Sequence, residues 1–226
     1  MKNIISLFLL NFFFLFTFGQ TQFIGFKGGY SLTNISTNAF DVHETQPGFS
    51  IGITYDYETK NKITFGTEFL YESRGYKNEI IFTDNQGNPT GVKYPTPNHY
   101  NYFALPLKFG YKFGDKFFVL ANIGVAPALL QKATITFPLF NYPSITYIGD
   151  TTVIFTNPSK FDISGFVEIG CGYQISNRFS VVSSFRYQYS FTSMTNDNYF
   201  KNYYINNYGT TLSLGIKYIL PSKAKT

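Results

Sequence analysis

The chain has 226 residues, of which 44% are apolar, 20% aromatic and 14% charged; an average soluble domain is about 25% charged. One cysteine and two histidines exclude an internal disulfide framework or CxxC site and argue against a His-rich catalytic or zinc centre. Low charge with many aromatics excludes a disordered chain, the length suits one sizeable domain, and the net charge of +5 without a clustered basic patch gives no reason to expect a nucleic-acid partner.

Residues 1–19 read as a secretory signal peptide. Lys2 forms a short positive region, Ile4 to Phe18 is almost unbroken apolar sequence, and Thr17 and Gly19 are the small residues of a cleavage site. The mature chain then starts at Gln20, and residues 20–226 form one domain. Nothing beyond the leader is apolar over 18 or more residues, so no membrane helix is predicted.

Eight segments with period-two alternation follow. Phe23–Ile35 sets Ile24, Phe26, Tyr30 and Leu32 against Lys27, Gly29, Ser31 and Thr33; Gly48–Tyr57 sets Phe49, Ile51, Ile53 and Tyr55 against Ser50, Gly52, Thr54 and Asp56. Ile63–Tyr76 opposes Phe65, Phe69 and Tyr71 to Glu68, Glu72 and Arg74, and residues 99–113 oppose Phe103, Leu105, Leu107, Phe109 and Tyr111 to Lys108, Gly110 and Lys112. Phe117–Leu130 is less regular, because Phe118 and Leu120 fall opposite Val119, Ala121 and Ile123. Phe161–Ile175 opposes Ile163, Val167, Ile169 and Cys171 to Asp162 and Glu168; Phe179–Phe191 opposes Val181, Phe185 and Tyr187 to Arg186; Tyr208–Ile219 opposes Leu212, Leu214 and Ile216 to Lys217. Every charge inside these segments is on the polar face: five acids (Asp56, Glu68, Glu72, Asp162, Glu168) and six bases (Lys27, Arg74, Lys108, Lys112, Arg186, Lys217).

One-sided alternation fits a soluble barrel with an apolar interior, or a membrane barrel with an apolar exterior. Segment length favours the second: soluble strands peak near 5–6 residues, whereas about 9–11 tilted residues cross a bilayer. Tyrosines recur near segment ends, as an interfacial girdle requires. Tight polar turns (residues 58–62, 114–116 and 176–178) alternate without exception with long connections (about 36–47, 77–98, 131–160 and 192–207). An up-and-down barrel therefore has short turns on its periplasmic side and long loops outside. The expected fold is all-β: an eight-stranded antiparallel up-and-down transmembrane barrel in the outer membrane, with a soluble lipocalin-like barrel as the alternative. Eight strands leave an interior only wide enough for side chains, so the eleven charges are expected to pair there as a structural network. Its centre is placed at Glu68, Glu72 and Arg74 with Lys108 and Lys112.

Several stretches then resemble one family. Phe26–Asn34 is similar to the glycine-rich first strand of the PorT-like outer-membrane barrels common in the Bacteroidota, Glu68–Tyr76 to their third strand, and Tyr102–Tyr111, with its Tyr-x-x-x-Pro-Leu, to their most recognisable strand. Phe161–Gly165, Gly170–Tyr173 and Arg186–Ser190 resemble strands six and seven, and the likeness spans about Gln22 to Leu220. The resemblance implies a barrel whose name-giving relative is an accessory of type IX secretion. The last strand departs from the common pattern: Tyr218 is followed by eight more residues, so the chain does not end on an aromatic.

No catalytic motif is present, and neither a cofactor nor a metal is expected. His43 and His99 are expected to be exposed loop residues, Cys171 a small lipid-facing one, and the Asn- and Tyr-rich loop 196–207 an extension of the girdle. The loop Thr134–Pro158, with its Phe-Pro and Tyr-Pro pairs, is expected to fold back as a hairpin or cap the barrel mouth; its prolines argue against a regular central strand. The expected role is non-enzymatic: a structural or interaction barrel contacting outer-membrane lipid and other envelope or secretion proteins. The alternatives are a narrow pore for ions or small solutes and, less favoured, an embedded lipid- or peptide-modifying enzyme.

Overall fold

The structure is a computed structural model that describes residues 21–39, 43–83, 86–141, 146–155, 158–195 and 202–221. The leader and residues 196–201 of the Asn-rich loop lie outside these residues. Ten strands are present: β1 (Thr21–Thr37), β2 (Glu44–Glu58), β3 (Ile63–Thr83), β4 (Pro89–Ala104), β5 (Leu107–Gly114), β6 (Phe117–Asn141), β7 (Thr146–Ile154), β8 (Phe161–Gln174), β9 (Phe179–Ser190) and β10 (Ile205–Leu220). No helix occurs among the described residues.

Eight wall strands form a closed antiparallel ring. β4 and β5 are one wall strand interrupted at Leu105-Pro106, and both pair with β3 on one side and β6 on the other. Pro106 lacks the amide that a ladder needs, yet its carbonyl accepts from Glu68 and the amide of Leu105 donates to Pro127, so the wall stays bonded across the break. The ring closes where β1 pairs with β10 along Gln22–Thr37. Stepping from Gln22 through Tyr57, Phe65, Phe109, Ile123, Val167, Tyr187 and Thr210 returns to β1 at Leu32, ten residues further along. A stagger of this kind is what lets tilted strands close a barrel without leaving an edge.

The alternation read from the sequence sets the two faces. Ile24, Phe26, Phe69, Phe109, Ile123, Val167, Phe185 and Leu214 are exposed on the outer wall, while Lys27, Asp56, Glu68, Lys108, Glu168 and Arg186 are buried inside. Cys171 is exposed on the outer face. Short turns join β2–β3, β5–β6 and β8–β9 at the end that also holds Thr21 and Leu220. In the first of these turns Lys62 takes a left-handed conformation, φ 63°.

At the opposite end the connection at 77–98 departs from the expected loop: β3 and β4 continue as a paired hairpin to Thr83 and Pro89. The fold-back expected of Thr134–Pro158 is present, as β6 runs on to Asn141 and returns through β7. Pro138 sits within β6 all the same. The Phe155 amide donates to the Ala133 carbonyl, so by pleat alternation odd-numbered residues of β6 bond β7 and Pro138 points its missing donor the other way. Among the described residues no strand pairs with β6 on that side, since its pairing with β4 ends at Ile135. The objection to proline holds for a central strand, and this is a two-stranded ribbon.

Candidate functional site: the barrel interior and its outer mouth

The interior charges form three groups along the barrel axis. In the middle, Glu68 is almost fully buried, at 1% exposure, and accepts from Lys27 at 3.1 Å, Lys108 at 2.9 Å and Arg186 at 2.7 Å. Arg186 also bonds Glu168 at 2.7 Å, and Lys27 reaches the same carboxylate at 3.3 Å. Asn122 satisfies its second oxygen at 3.0 Å. Asp56 joins this group through Lys108 at 2.9 Å and Lys217 at 2.7 Å. Toward the outer mouth, Arg74 bridges Glu72 at 2.6 Å and Asp162 at 2.7 Å. Ser190 and Thr192 donate to Asp162 at 3.0 and 2.6 Å. Toward the periplasm, Lys112 bonds Glu58 at 2.8 Å, and Lys62 bridges Glu58 and Asp115.

The structure therefore brings all eleven charges inside but divides the centre read from the sequence. Glu68 and Lys108 meet; Glu72 and Arg74 belong to the outer triad with Asp162, and Lys112 belongs to the periplasmic pair. The sequence reading missed Glu58. It continues the inward parity of Asp56 two residues on, and that was the available signal, obscured by its place beside the turn. Glu58 also completes the electrostatics. Five acids against six bases leave one cation unmatched, whereas Glu58 makes six against six. An unmatched buried charge costs several kcal/mol, and each of these twelve has a partner of opposite sign.

Small residues create the seats for these groups. A side chain on Gly66 would collide with Asp56 and Lys108, so their ion pair occupies the space a Cβ would fill. Gly124 likewise seats the Phe166 ring, over which the Arg186 guanidinium lies 4.2 Å from the centroid, a favourable cation–π distance.

The interior is not polar throughout, which corrects the picture of a uniformly polar lumen. Phe118, Leu120 and Val182 form an apolar layer at the periplasmic end; Lys112 lies 4.7 Å from the Phe118 centroid and 5.6 Å from that of Phe23. The irregularity of the fifth segment is this layer: its inward face is apolar as well. At the outer mouth Ile35, Leu70, Tyr76, Tyr100, Tyr102 and Ala133 form a larger cluster, capped by Met194 from the β9–β10 connection. Met194 is held there by backbone bonds to Ile205 and Ser159. Among the voids along the interior are two of about 30 and 20 Å³, room for a water or two each.

The histidines also differ from expectation. His99 is half-buried and bonds Gln46 at 2.9 Å, and His43 bonds Asn34 at 2.8 Å. They belong to different contacts, and among the described residues no three His, Cys, Asp or Glu side chains converge as metal ligands.

Above the mouth, the β3–β4 and β6–β7 hairpins are tied by an aromatic cluster. Phe140 packs on Phe82 at 4.7 Å and on Tyr94 at 4.9 Å, and Tyr94 stacks on Tyr147 at 5.8 Å.

A closed ring, an apolar exterior and a charge-paired interior together describe a membrane barrel. Comparison with known proteins agrees: residues 18–196 match the family described as outer membrane protein beta-barrel domain. The chain belongs to this family. Among solved structures, this outer-membrane barrel is similar to Neisserial surface protein A, at 15% identity and a TM-score of 0.50, over 89% of this chain and 99% of that one. It is also similar to OprG of Pseudomonas aeruginosa, at 10% identity and 0.46, over 89% and 97%, and to Ail, the attachment invasion locus protein of Yersinia pestis, at 14% and 0.41, over 88% and 99%. At these identities the likeness is one of fold. No curated protein matches the chain. The protein is thus an eight-stranded barrel of the outer membrane.

Proposed function

We propose that this barrel is a non-enzymatic interaction protein of the cell envelope, anchored by its wall and working through its outer hairpins. The observation that carries this reading is the filled interior. Charge-paired groups occupy the middle, apolar clusters lie toward both ends, and two voids described inside hold only about 30 and 20 Å³. A solute path would need a wetted channel, as in much larger barrels. The parts that extend beyond the barrel wall are the two hairpins above the mouth, which the aromatic cluster ties together. Binding residues commonly sit on such connections, positioned by a rigid scaffold.

The partners are other envelope proteins, and the resemblance to PorT-like barrels supports a place beside a secretion apparatus. Cross-linking in cells followed by capture of the barrel tests the interaction role: reproducible partners are expected, and their absence in replicate captures overturns it. Deleting the gene and comparing proteins released to the medium tests the secretion role. Selective loss of a class of secreted proteins, restored by complementation, is expected; an unchanged profile removes secretion and leaves the broader role.

A further inference from the structure

Strand β7 is paired on one edge only. Its neighbour is β6, and among the described residues no strand covers the other edge. The Phe155 amide donates to the Ala133 carbonyl at 2.9 Å, and antiparallel alternation then turns the N–H and C=O of Asp150, Thr152 and Ile154 away from β6. The register with β6 is unbroken from Ile154 to Gly149, so these groups form one open line along the ribbon.

Natural proteins blunt such edges with lysine, proline or a bulge. Thr146–Ile154 contains no lysine or proline, and its one irregularity lies toward the tip, opposite Leu139 and Phe140. Tyr147, Ile148, Val153 and Ile154 are exposed along it, Ile148 at 64%. Asp150 is its single charge and is also exposed. The aromatic contacts of Tyr147 and Phe140 fix the ribbon to the other hairpin, so the edge is already held in the geometry that a new strand would meet.

We propose that the open edge of β7 takes up an extended segment of another polypeptide by antiparallel strand addition, with a cationic side chain opposite Asp150. This rests on the interaction role argued above and assigns its site. Unpaired backbone donors and acceptors in a line are matched by an extended chain, and opposite charges facing each other across strands favour the register. A second copy in the same membrane does not fit. Two antiparallel β7 edges are related by an axis perpendicular to the strands. Because β7 rises from the membrane-crossing β6, that axis lies nearer the membrane plane than its normal, and the second barrel would stand in a facing membrane.

The test uses the full barrel in nanodiscs and two labelled nine-residue peptides of alternating valine and threonine, one with lysine and one with glutamate at its centre. Thr152→Pro removes an amide on the open edge and leaves the bonds to β6 in place. Asp150→Lys reverses the charge, and Asp150→Asn, which keeps the size and an acceptor for Tyr147, removes it; heat-modifiable gel mobility verifies that the variants are folded. The wild-type barrel is expected to prefer the lysine peptide, Thr152→Pro to weaken binding about tenfold or more, and Asp150→Lys to invert the preference. Equal binding by wild type and Thr152→Pro, or no binding to either peptide, overturns the proposal. In cells, cross-linked partners captured equally by wild type and Thr152→Pro would leave the interaction role standing and remove β7 as its site. Capture of none by wild type would remove both. Clustering of vesicles that carry the wild-type barrel would assign the edge to a second copy in a facing membrane and overturn the assignment to a different chain.

Discussion

Glu68 is the residue on which the interior depends most. Three cations from β1, β5 and β9 converge on it, so its removal leaves a cluster of buried positive charge with one anchor fewer. Replacing one partner of such a network costs about 3–5 kcal/mol. Glu68→Gln, which keeps the shape, is expected to lose stability of that order in urea unfolding from lipid vesicles, and Glu58→Gln to lose less than that, because one enclosed cation, Lys112, and not three loses its carboxylate. At the turns, a hydrogen bond from Lys62 and its charge hold the exposed Asp115 carboxyl below its ordinary range. A depressed carboxyl stabilises the fold above its unfolded value, and that contribution fades as pH falls through the lowered value. Lys62→Met is expected to move the Asp115 titration upward by NMR, with little change in the unfolding midpoint, since exposed pairs contribute little.

Among the elements, β3 carries the most varied inward face: Glu68, Leu70, Glu72, Arg74 and Tyr76 follow one another toward the mouth. Leu70 is 1% exposed, and Leu70→Ala is expected to cost about 2–5 kcal/mol by leaving a cavity, measured in the same unfolding series. Alternation made the wall legible because most inward charges have outward apolar neighbours; Lys108 between the exposed Leu107 and Phe109 is an example. The same rule hid the apolar plugs. Phe118 and Leu120 blur the period of β6, and Tyr100 and Tyr102 read as neutral between His99 and Phe103. The β3–β4 hairpin was hidden for another reason: above the mouth neither face has a lipid or lumen environment to select for. The fold-back of Thr134–Pro158 was legible, but its prolines read as breaks where β6 in fact continues through Pro138. The ion-pair partners were legible by face but not by height, because which charges meet depends on the stagger of the whole ring and not on any one strand.

For the molecule as a whole, the filled interior predicts silence. Purified wild-type barrel in planar bilayers is expected to show no discrete conductance steps, and regular steps would restore the pore reading. Orientation is open to a direct check. A cysteine at Gly87, on the β3–β4 hairpin, is expected to react with a membrane-impermeant maleimide on intact cells, and one at Lys60, on the first short turn, only after the envelope is opened. The reverse pattern would invert the barrel.

The seam between β1 and β10 also bears on how the molecule comes into being. The two strands that close the ring are the first and the last in the chain, and they meet over Gln22–Thr37 and Ile205–Leu220. Until β10 is delivered, β1 and β9 each present a row of unsatisfied amides and carbonyls, a state that hydrocarbon does not tolerate. No shorter version of the wall is a resting place. Contacts of such long sequence separation also form slowly, so the nascent chain must be escorted through the periplasm until its final strand can arrive, and a truncation ahead of Ile205 is expected to be degraded and not inserted.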